Sequence, residues 1–315
     1  MSNKPRKPDE FDLIRQAFLM GAPKPHPNTS VVNGDDASVH AVPKGMELVV
    51  STDMSISGVH WPENFPLEKA ADRAVCAALS DLAAMGAEAC WAWLSVMSGS
   101  RCDLIELGDG VNAALARYSV ELAGGDLAHS RGTTALSVTV AGVLPKGKAM
   151  CRDKAKKKDR VWMIGKAGFS SLGLKQWMAE MDEAYFKPYF ETIKPKLDLG
   201  VRLRELGVQC CIDVSDGVLQ DAGHISEASG VGMELELSDF PGWDILCHKV
   251  GEKSAISAVV GGGEDYALIF TAPEVMGWLD SFATCIGKCS DVEGVEMLLN
   301  GEKLEGLNPG YNHFE

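Results

Sequence analysis

Stretches with helical and with strand periodicity alternate from one end of this chain to the other, and that mixture constrains the fold more than any other feature. Over 66–87, Ala71, Val75, Ala78, Leu82 and Met85 recur at steps of three and four and Gly86 follows, which predicts a buried helix. Leu136, Val138 and Val140 alternate with Ser137 and Thr139, the pattern of a strand. Further strands are expected at 47–52, 90–97, 160–165, 209–214, 232–237 and 266–271, and further helices at 10–20, 103–117, 171–181, 217–229 and 273–282. Both kinds occur in both halves, so the expectation is a two-domain α/β (α+β) protein, not a bundle or a sandwich. The 315 residues fit that count, at roughly 150 residues per domain. The boundary is placed within 144–160, where Pro145 and Gly147 break the strand pattern and eight Lys or Arg face two Asp. As a group these lysines read as a solvated connecting loop.

Acidic side chains outnumber basic ones by 44 to 30, a formal charge of −14. That disfavours non-specific binding to nucleic acid or to an anionic membrane. The first 22 residues carry Lys4, Arg6, Lys7, Asp9, Glu10, Asp12 and Arg15, so they lack the apolar core of a secretion signal, and no 18-residue apolar run follows. A soluble, cytoplasmic protein is expected. The nine cysteines include no CxxC pair and sit among apolar neighbours, as thiols that act as small hydrophobes in a reducing compartment.

The chemistry points to the aspartates. Asp35 and Asp36 follow Gly34, Asp53 ends ELVVSTD, Asp126 follows Gly124 and Gly125, and Asp213 and Asp216 flank Ser215 in IDVSDG. These are read as strand ends and glycine turns, where loops present binding groups on a rigid scaffold. Asp81 interrupts CAALSDLAAMGA, a small-residue helix expected to be buried, where a carboxylate without a cation or donors costs several kcal/mol. Taken singly, any of these acids could be a turn former or helix cap. As a set of hard oxygen ligands without a His or Cys cluster they select Mg2+ or Ca2+ over zinc. Since Mg2+ is held by one or two carboxylates plus substrate phosphates, an acidic protein of this kind suits phosphate chemistry. GVLPKGKA at 142–149 has P-loop spacing but ends on Ala149 and contains Pro145, and GDGVNA at 108–113 follows helix-like residues, so neither reads as a nucleotide fingerprint. GGGEDYALIF from Gly261 places Glu264 and Asp265 on a flexible turn before an apolar strand, and His60 lies on a glycine-containing loop beside Trp61.

GDDA at Gly34, STDMSISGVHW at Ser51, LSDLAAMGA at Leu79, AGGD at Ala123, IDVSDG at Ile212, GGGEDYALIF at Gly261 and GYNHF at Gly310 together resemble the thiamine-monophosphate kinase family, in its motif order and over nearly the whole chain. The resemblance implies an aminoimidazole ribonucleotide synthetase-like fold. Residues 1–146 would form the dimerisation and Mg-ATP-binding domain, with a barrel across a homodimer interface, and 147–315 a C-terminal α/β domain closing the active site. It implies direct transfer of the ATP γ-phosphoryl to thiamine monophosphate, with several Mg2+ ions and no covalent nucleophile. By the same carry-over, Asp36, Ser51, Thr52, Asp53, Asp81, Asp126, Asp213 and Asp216 would be metal ligands. Tyr118, Gly125, Asp126, Arg152 and Ser215 would surround ATP, and His60, Glu264 and Tyr311 would contact the thiamine phosphate. The chain departs from the family pattern at Leu127, Ala128 and His129 (TTR in the family), at Ala78 (Asn), at Phe169 (the acid of GDS) and in GYNHF (GYDHF). Two alternatives stay open: a superfamily relative that phosphorylates a different acceptor, and a non-catalytic nucleotide- or metal-binding relative.

Overall fold

The computed structural model describes residues 9–181, 184–308 and 310. Two compact units are distinguishable. The first comprises the chain up to Leu79 together with Ala89–Val143, and the second comprises Ser80–Glu88 with Leu144 onward.

In the first unit, α1 (Glu10–Ile14) continues as a π-helical turn over Arg15–Leu19, and β1 (Thr29–Val31) pairs antiparallel with β2 (Val39–His40). A four-stranded sheet follows, built from β3 (Met46–Ile56), β4 (Glu88–Ser98), β5 (Glu121–His129) and β6 (Ala135–Pro145) in the order β3-β6-β4-β5. The part of helix α2 (Leu67–Met85) up to Leu79 and helix α3 (Leu104–Arg117) complete it. The alternation read in the sequence is the reason one sheet face is dry: Leu136, Val138 and Val140 are buried, as are Cys90, Ala92, Leu94 and Val96 of β4. Cys90, Trp91, Ala123, Ala141 and Val143 form a small buried cluster against which Met46 and Trp93 pack. Beyond it β3, an edge strand, leaves Leu48, Val50 and Met54 half exposed.

Helix α2 buries Ala71, Val75, Ala78 and Leu82 as its periodicity predicts. Asp81 departs from the expectation of burial. It lies with Ala77 and Met85 on a partly exposed line, because steps of four keep these three on one side of the helix.

The second unit holds a seven-stranded sheet in the order β13-β12-β9-β11-β7-β10-β8. Its strands are β7 (Arg160–Ile164), β8 (Cys210–Asp213), β9 (Gly232–Glu236), β10 (Leu268–Ala272), β11 (Thr284–Ser290), β12 (Gly294–Leu299) and β13 (Glu302–Lys303). Pairing is antiparallel except between β9 and β12. Helices α4 (Phe169–Met178), α5 (Lys187–Glu191), α6 (Leu197–Glu205), α7 (Val218–Ser229), α8 (Trp243–Val250) and α9 (Glu252–Gly261) surround it. Val161, Met163, Ile212, Met233, Leu235 and Ile269 meet Val218, Ala222 and Ile225 of α7 and Val259 of α9 in one core. Cys76, Cys90, Cys210, Cys211 and Cys289 are buried, and all nine thiols are free. The basic stretch before β7 is exposed, with Lys157 on Asp291 and Arg160 on Glu274 as surface ion pairs. Such pairs contribute little, about 0–1 kcal/mol.

The expected helix at 273–282 is a 3-10 segment, Glu274–Ser281, broken at Met276. Only Leu279 of that segment is buried, so no apolar stripe pulls it into an α-helix. Two aspartates also sit differently from the reading of strand ends and turns. Asp53 lies inside β3, and Gly124, Gly125 and Asp126 run inside β5, paired with Trp93, Leu94 and Ser95. Gly125 is required there by close packing: an added Cβ would come within 2.0 Å of the Leu94 carbonyl oxygen.

Candidate functional site

The second unit gathers three of the sequence motifs into one loop cluster. β8 ends at Asp213, whose side chain is 4% exposed, and the chain turns through Val214–Gly217 into α7. Asp221, in the first turn of α7 and buried, reaches back so that its Oδ2 accepts from the backbone N–H groups of Ser215 (3.0 Å), Asp216 (3.1 Å) and Gly217 (3.2 Å). Burial pushes its carboxyl up to about 7. The N–H bonds oppose that rise and the neighbouring charges of Asp216 and Asp213 add to it. Gln220 Nε2 donates to Asp216 Oδ2 at 3.1 Å and so orients that carboxylate.

The glycine-rich turn is fastened to this loop. The Glu264 N–H donates to the Ser215 carbonyl at 2.7 Å and the Tyr266 N–H to the Val214 carbonyl at 2.8 Å. A Cβ on Gly263 would lie 2.4 Å from the same Ser215 oxygen, and one on Gly310 would lie 2.7 Å from the Asp216 carbonyl oxygen. The start of the GYNHF motif therefore passes beside Asp216, while Tyr311 itself lies outside the described residues. Asp265 accepts from the N–H of Gly168 at 2.6 Å and of Ser170 at 2.8 Å, at the start of α4. The turn expected to be flexible is pinned, because the Glu264 and Tyr266 amides and the Asp265 carboxylate are used in hydrogen bonds to fixed backbone.

Arg152, in the 3-10 turn Arg152–Lys154, is exposed, and its carbonyl oxygen accepts from Ser229 Oγ at 2.7 Å and from Cys210 Sγ. That puts its backbone at the N-terminal end of β8, whereas Ser215 lies beyond the C-terminal end.

In the first unit a cavity of about 290 Å3 is walled by Ile14, Phe18, Leu94, Val96 and Leu122, with Asp35, Gly125 and Asp126 among its polar lining. Asp36 is exposed beside it in sequence, its N–H donating to Asp35 Oδ1 at 2.8 Å. Tyr118 does not line the cavity. It caps the C-terminus of α3, with the Arg117 guanidinium 5.8 Å from its ring centre. Burial raises its phenol above the ordinary value. Along β3, Ser51 and Asp53 face the more enclosed side and Thr52 the other, where its Oγ1 is 2.9 Å from Thr139 Oγ1. His60 Nδ1 accepts from the Ile56 N–H at 3.1 Å, within a tight turn that Gly58 closes onto the Trp61 carbonyl.

The donors in both units are carboxylate and hydroxyl oxygens, which suit magnesium. Among the described residues no three His, Cys, Asp or Glu side chains converge closely enough to hold an ion by themselves. Carboxylates close enough to raise one another's proton affinity, as Asp213 and Asp216 raise that of Asp221, are where a cation is stabilising. These residues fit an ion that draws its remaining ligands from substrate phosphates and water.

Sequence reasoning missed Asp221 and the amide-binding role of Asp265. Asp221 had a signal: an acid four residues after Gly217, in the first turn of a helix. Sequence reasoning named Asp35 beside Asp36 but missed the apolar N-terminal residues that wall the cavity.

Residues 34–144 match the family model of AIR synthase related protein, N-terminal domain. The thiamine-monophosphate kinase of Salmonella typhimurium is 33% identical to this chain over 323 residues, covering 97% of this chain and 98% of that protein. The chain belongs to the thiamine-monophosphate kinase family. Two solved structures agree. The thiamine-monophosphate kinase of Stenotrophomonas maltophilia is 30% identical with a TM-score of 0.79, covering 88% of this chain and 93% of that one. AaThiL complexed with AMPPCP and TMP is 26% identical with a TM-score of 0.77, covering 99% and 100%. The fold is thus the two-part α/β fold of aminoimidazole ribonucleotide synthetase relatives. Phe169, at the start of α4, is 1% exposed and packs edge-on to Phe186 at 5.2 Å and Tyr189 at 4.8 Å. Leu127 joins the cavity wall, and Ala128 and His129 are exposed on β5.

Proposed function

We propose that this member of the thiamine-monophosphate kinase family transfers the γ-phosphoryl of ATP to thiamine monophosphate, giving thiamine diphosphate and ADP by direct in-line displacement. The observation that carries the reading is similarity along the whole chain to thiamine-monophosphate kinases, one related structure having been solved with AMPPCP and TMP. Joining two anionic phosphates demands charge neutralisation and alignment more than a nucleophilic side chain. Asp36, Ser51, Thr52, Asp53, Asp81, Asp126, Asp213 and Asp216 would hold magnesium directly or through water, and the ions would supply that neutralisation. Gly125 and Asp126 receive ATP at the cavity of the first unit, with Tyr118, Arg152 and Ser215 as further contacts; a guanidinium fork suits a phosphate. Glu264, His60 and Tyr311 hold the acceptor, Tyr311 offering its ring to a cationic thiazolium or to the pyrimidine. Asp221 keeps the Ser215–Gly217 amides in place, so Asp213 and Asp216 present their carboxylates from a rigid loop.

The proposal extends to a cytoplasmic homodimer, in which residues 1–146 carry dimerisation and Mg-ATP binding and 147–315 complete the active site. The half-exposed Leu48, Val50 and Met54 on the edge strand β3 support an interface with a second copy. No helix among the described residues is long and apolar enough to cross a membrane.

Incubation of the pure protein with Mg2+, ATP and thiamine monophosphate tests the reading. Thiamine diphosphate and ADP are expected in equal amounts. ATP consumption only with some other acceptor identifies a superfamily relative instead, and tight ATP binding without transfer to any acceptor identifies a non-catalytic one.

A further inference from the structure

Asp265 is held in an unusual way. The N-cap of α4 is Gly168, which has no side chain to offer, and Ser170 Oγ is buried with no hydrogen-bond partner among the described residues. The Gly168 and Ser170 N–H groups that open this helix are satisfied from 97 and 95 residues away by the two oxygens of Asp265, Oδ2 to Gly168 and Oδ1 to Ser170. Two oxygens on two fixed amides set the rotation of the carboxyl group; burial pushes that carboxyl up to about 7, and the N–H bonds at the helix start oppose the rise. The residues on either side are both in the left-handed region, Glu264 at φ 69° and Tyr266 at φ 49°. Such backbone costs on the order of 1 kcal/mol or more per residue and persists only where the surroundings over-determine it. Here the surroundings are the Ser215 and Val214 carbonyls, which hold the flanking amides, and the α4 amides, which hold the carboxylate between them. The Tyr266 hydroxyl also lies 3.4 Å from Glu264 Oε1. Since the oxygens of Asp265 are engaged by protein amides, it occupies the α4 N-terminus that would otherwise attract a phosphate.

We propose that Asp265 is a positioning residue, which by fastening the Glu264–Tyr266 turn to the start of α4 aims the Glu264 carboxylate at the acceptor and so sets the acceptor's affinity. This inference rests on the reading that Glu264 contacts thiamine monophosphate.

Calorimetric binding of thiamine monophosphate to the full-length protein, and separately of a non-hydrolysable ATP analogue, tests it with wild type, Glu264→Gln, Asp265→Asn and the double variant. Asp265→Asn keeps the shape but puts an N–H donor against another donor. The expected result is acceptor binding weakened by about tenfold or more in Asp265→Asn, since displacement of a contact by about 1 Å costs on that order. Analogue binding should stay within about twofold, and the double variant should be no weaker than the weaker single one, as residues acting as a unit are not additive. Wild-type acceptor affinity in Asp265→Asn while Glu264→Gln is weakened overturns the inference, as do additive losses or an equal loss of analogue binding. Unchanged affinity in Glu264→Gln instead removes the reading of Glu264 on which the inference stands. Should Asp265→Asn fail to give a folded circular-dichroism spectrum, Asp265→Glu, which keeps the charge and displaces it by one methylene, takes its place under the same thresholds.

Discussion

Aspartates in this chain serve two physical purposes that their identity alone does not separate. Asp221 and Asp265 spend their oxygens on backbone amides and hold loops still. Asp53 stands on the more enclosed side of β3 beside Ser51, in a motif read as metal-binding, and Asp239 ends the short 3-10 turn Leu237–Asp239 exposed to solvent. Replacing a carboxylate that ligates catalytic magnesium removes several kcal/mol of transition-state stabilisation, and each 1.4 kcal/mol is tenfold. Asp53→Asn is therefore expected to lower kcat/KM by about a hundredfold or more, and Asp239→Asn by less than about twofold, both with melting temperatures close to wild type. Steady-state assays of the two variants side by side decide it, and equal losses remove Asp53 from the ligand set.

At the scale of elements, the end of α2 shows how the helix that carries Asp81 is stopped and held. Gly86 follows Met85 at φ 71°, and a Cβ there would lie 2.8 Å from the Cβ of Arg204 on α6. Arg204 is 7% exposed, and its Nη1 donates to the Gly86 carbonyl at 2.9 Å. The turn that ends the helix and its packing against α6 thus depend on one residue without a side chain. Gly86→Ala is expected to destabilise the protein by about 1–2 kcal/mol from backbone conformation alone, with the close contact adding to it. Denaturant unfolding measures this directly. Because Asp81 lies little more than one turn earlier on the same helix, acceptor turnover should fall with stability when the substitution is assayed near the melting temperature.

For the molecule as a whole, the outer face of the first unit's sheet is the feature that calls for a partner. An edge strand with Leu48 and Val50 about half exposed, 50% and 55%, and Met54 at 56%, invites pairing or packing with another chain. With a second copy as the proposed occupant, Val50→Glu is expected to convert a sedimenting dimer into a monomer while leaving the far-ultraviolet circular dichroism unchanged. A wild-type protein that sediments as a monomer at micromolar concentration would falsify the dimer.

Local pattern determined the elements whose burial is one-sided and regular. Steps of three and four laid out α2, and alternation laid out the middle of β6 at Leu136, Val138 and Val140, whereas β7, β8 and β10 are buried on both faces along nearly their whole length and carry no such alternation. Motif residues such as Asp213, Asp216 and Glu264 stood out in the sequence, although their hydrogen-bonded neighbours did not. Tertiary structure alone decided that Gly124–Asp126 would be strand instead of turn, because the cause is the Leu94 backbone pressing on Gly125. It alone decided that Asp265 would cap α4 across 97 residues and so turn a glycine-rich loop into a rigid one. Neither cause is local: a close approach and a long-range cap come into being only when distant segments fold together, whereas periodicity is carried by each segment on its own.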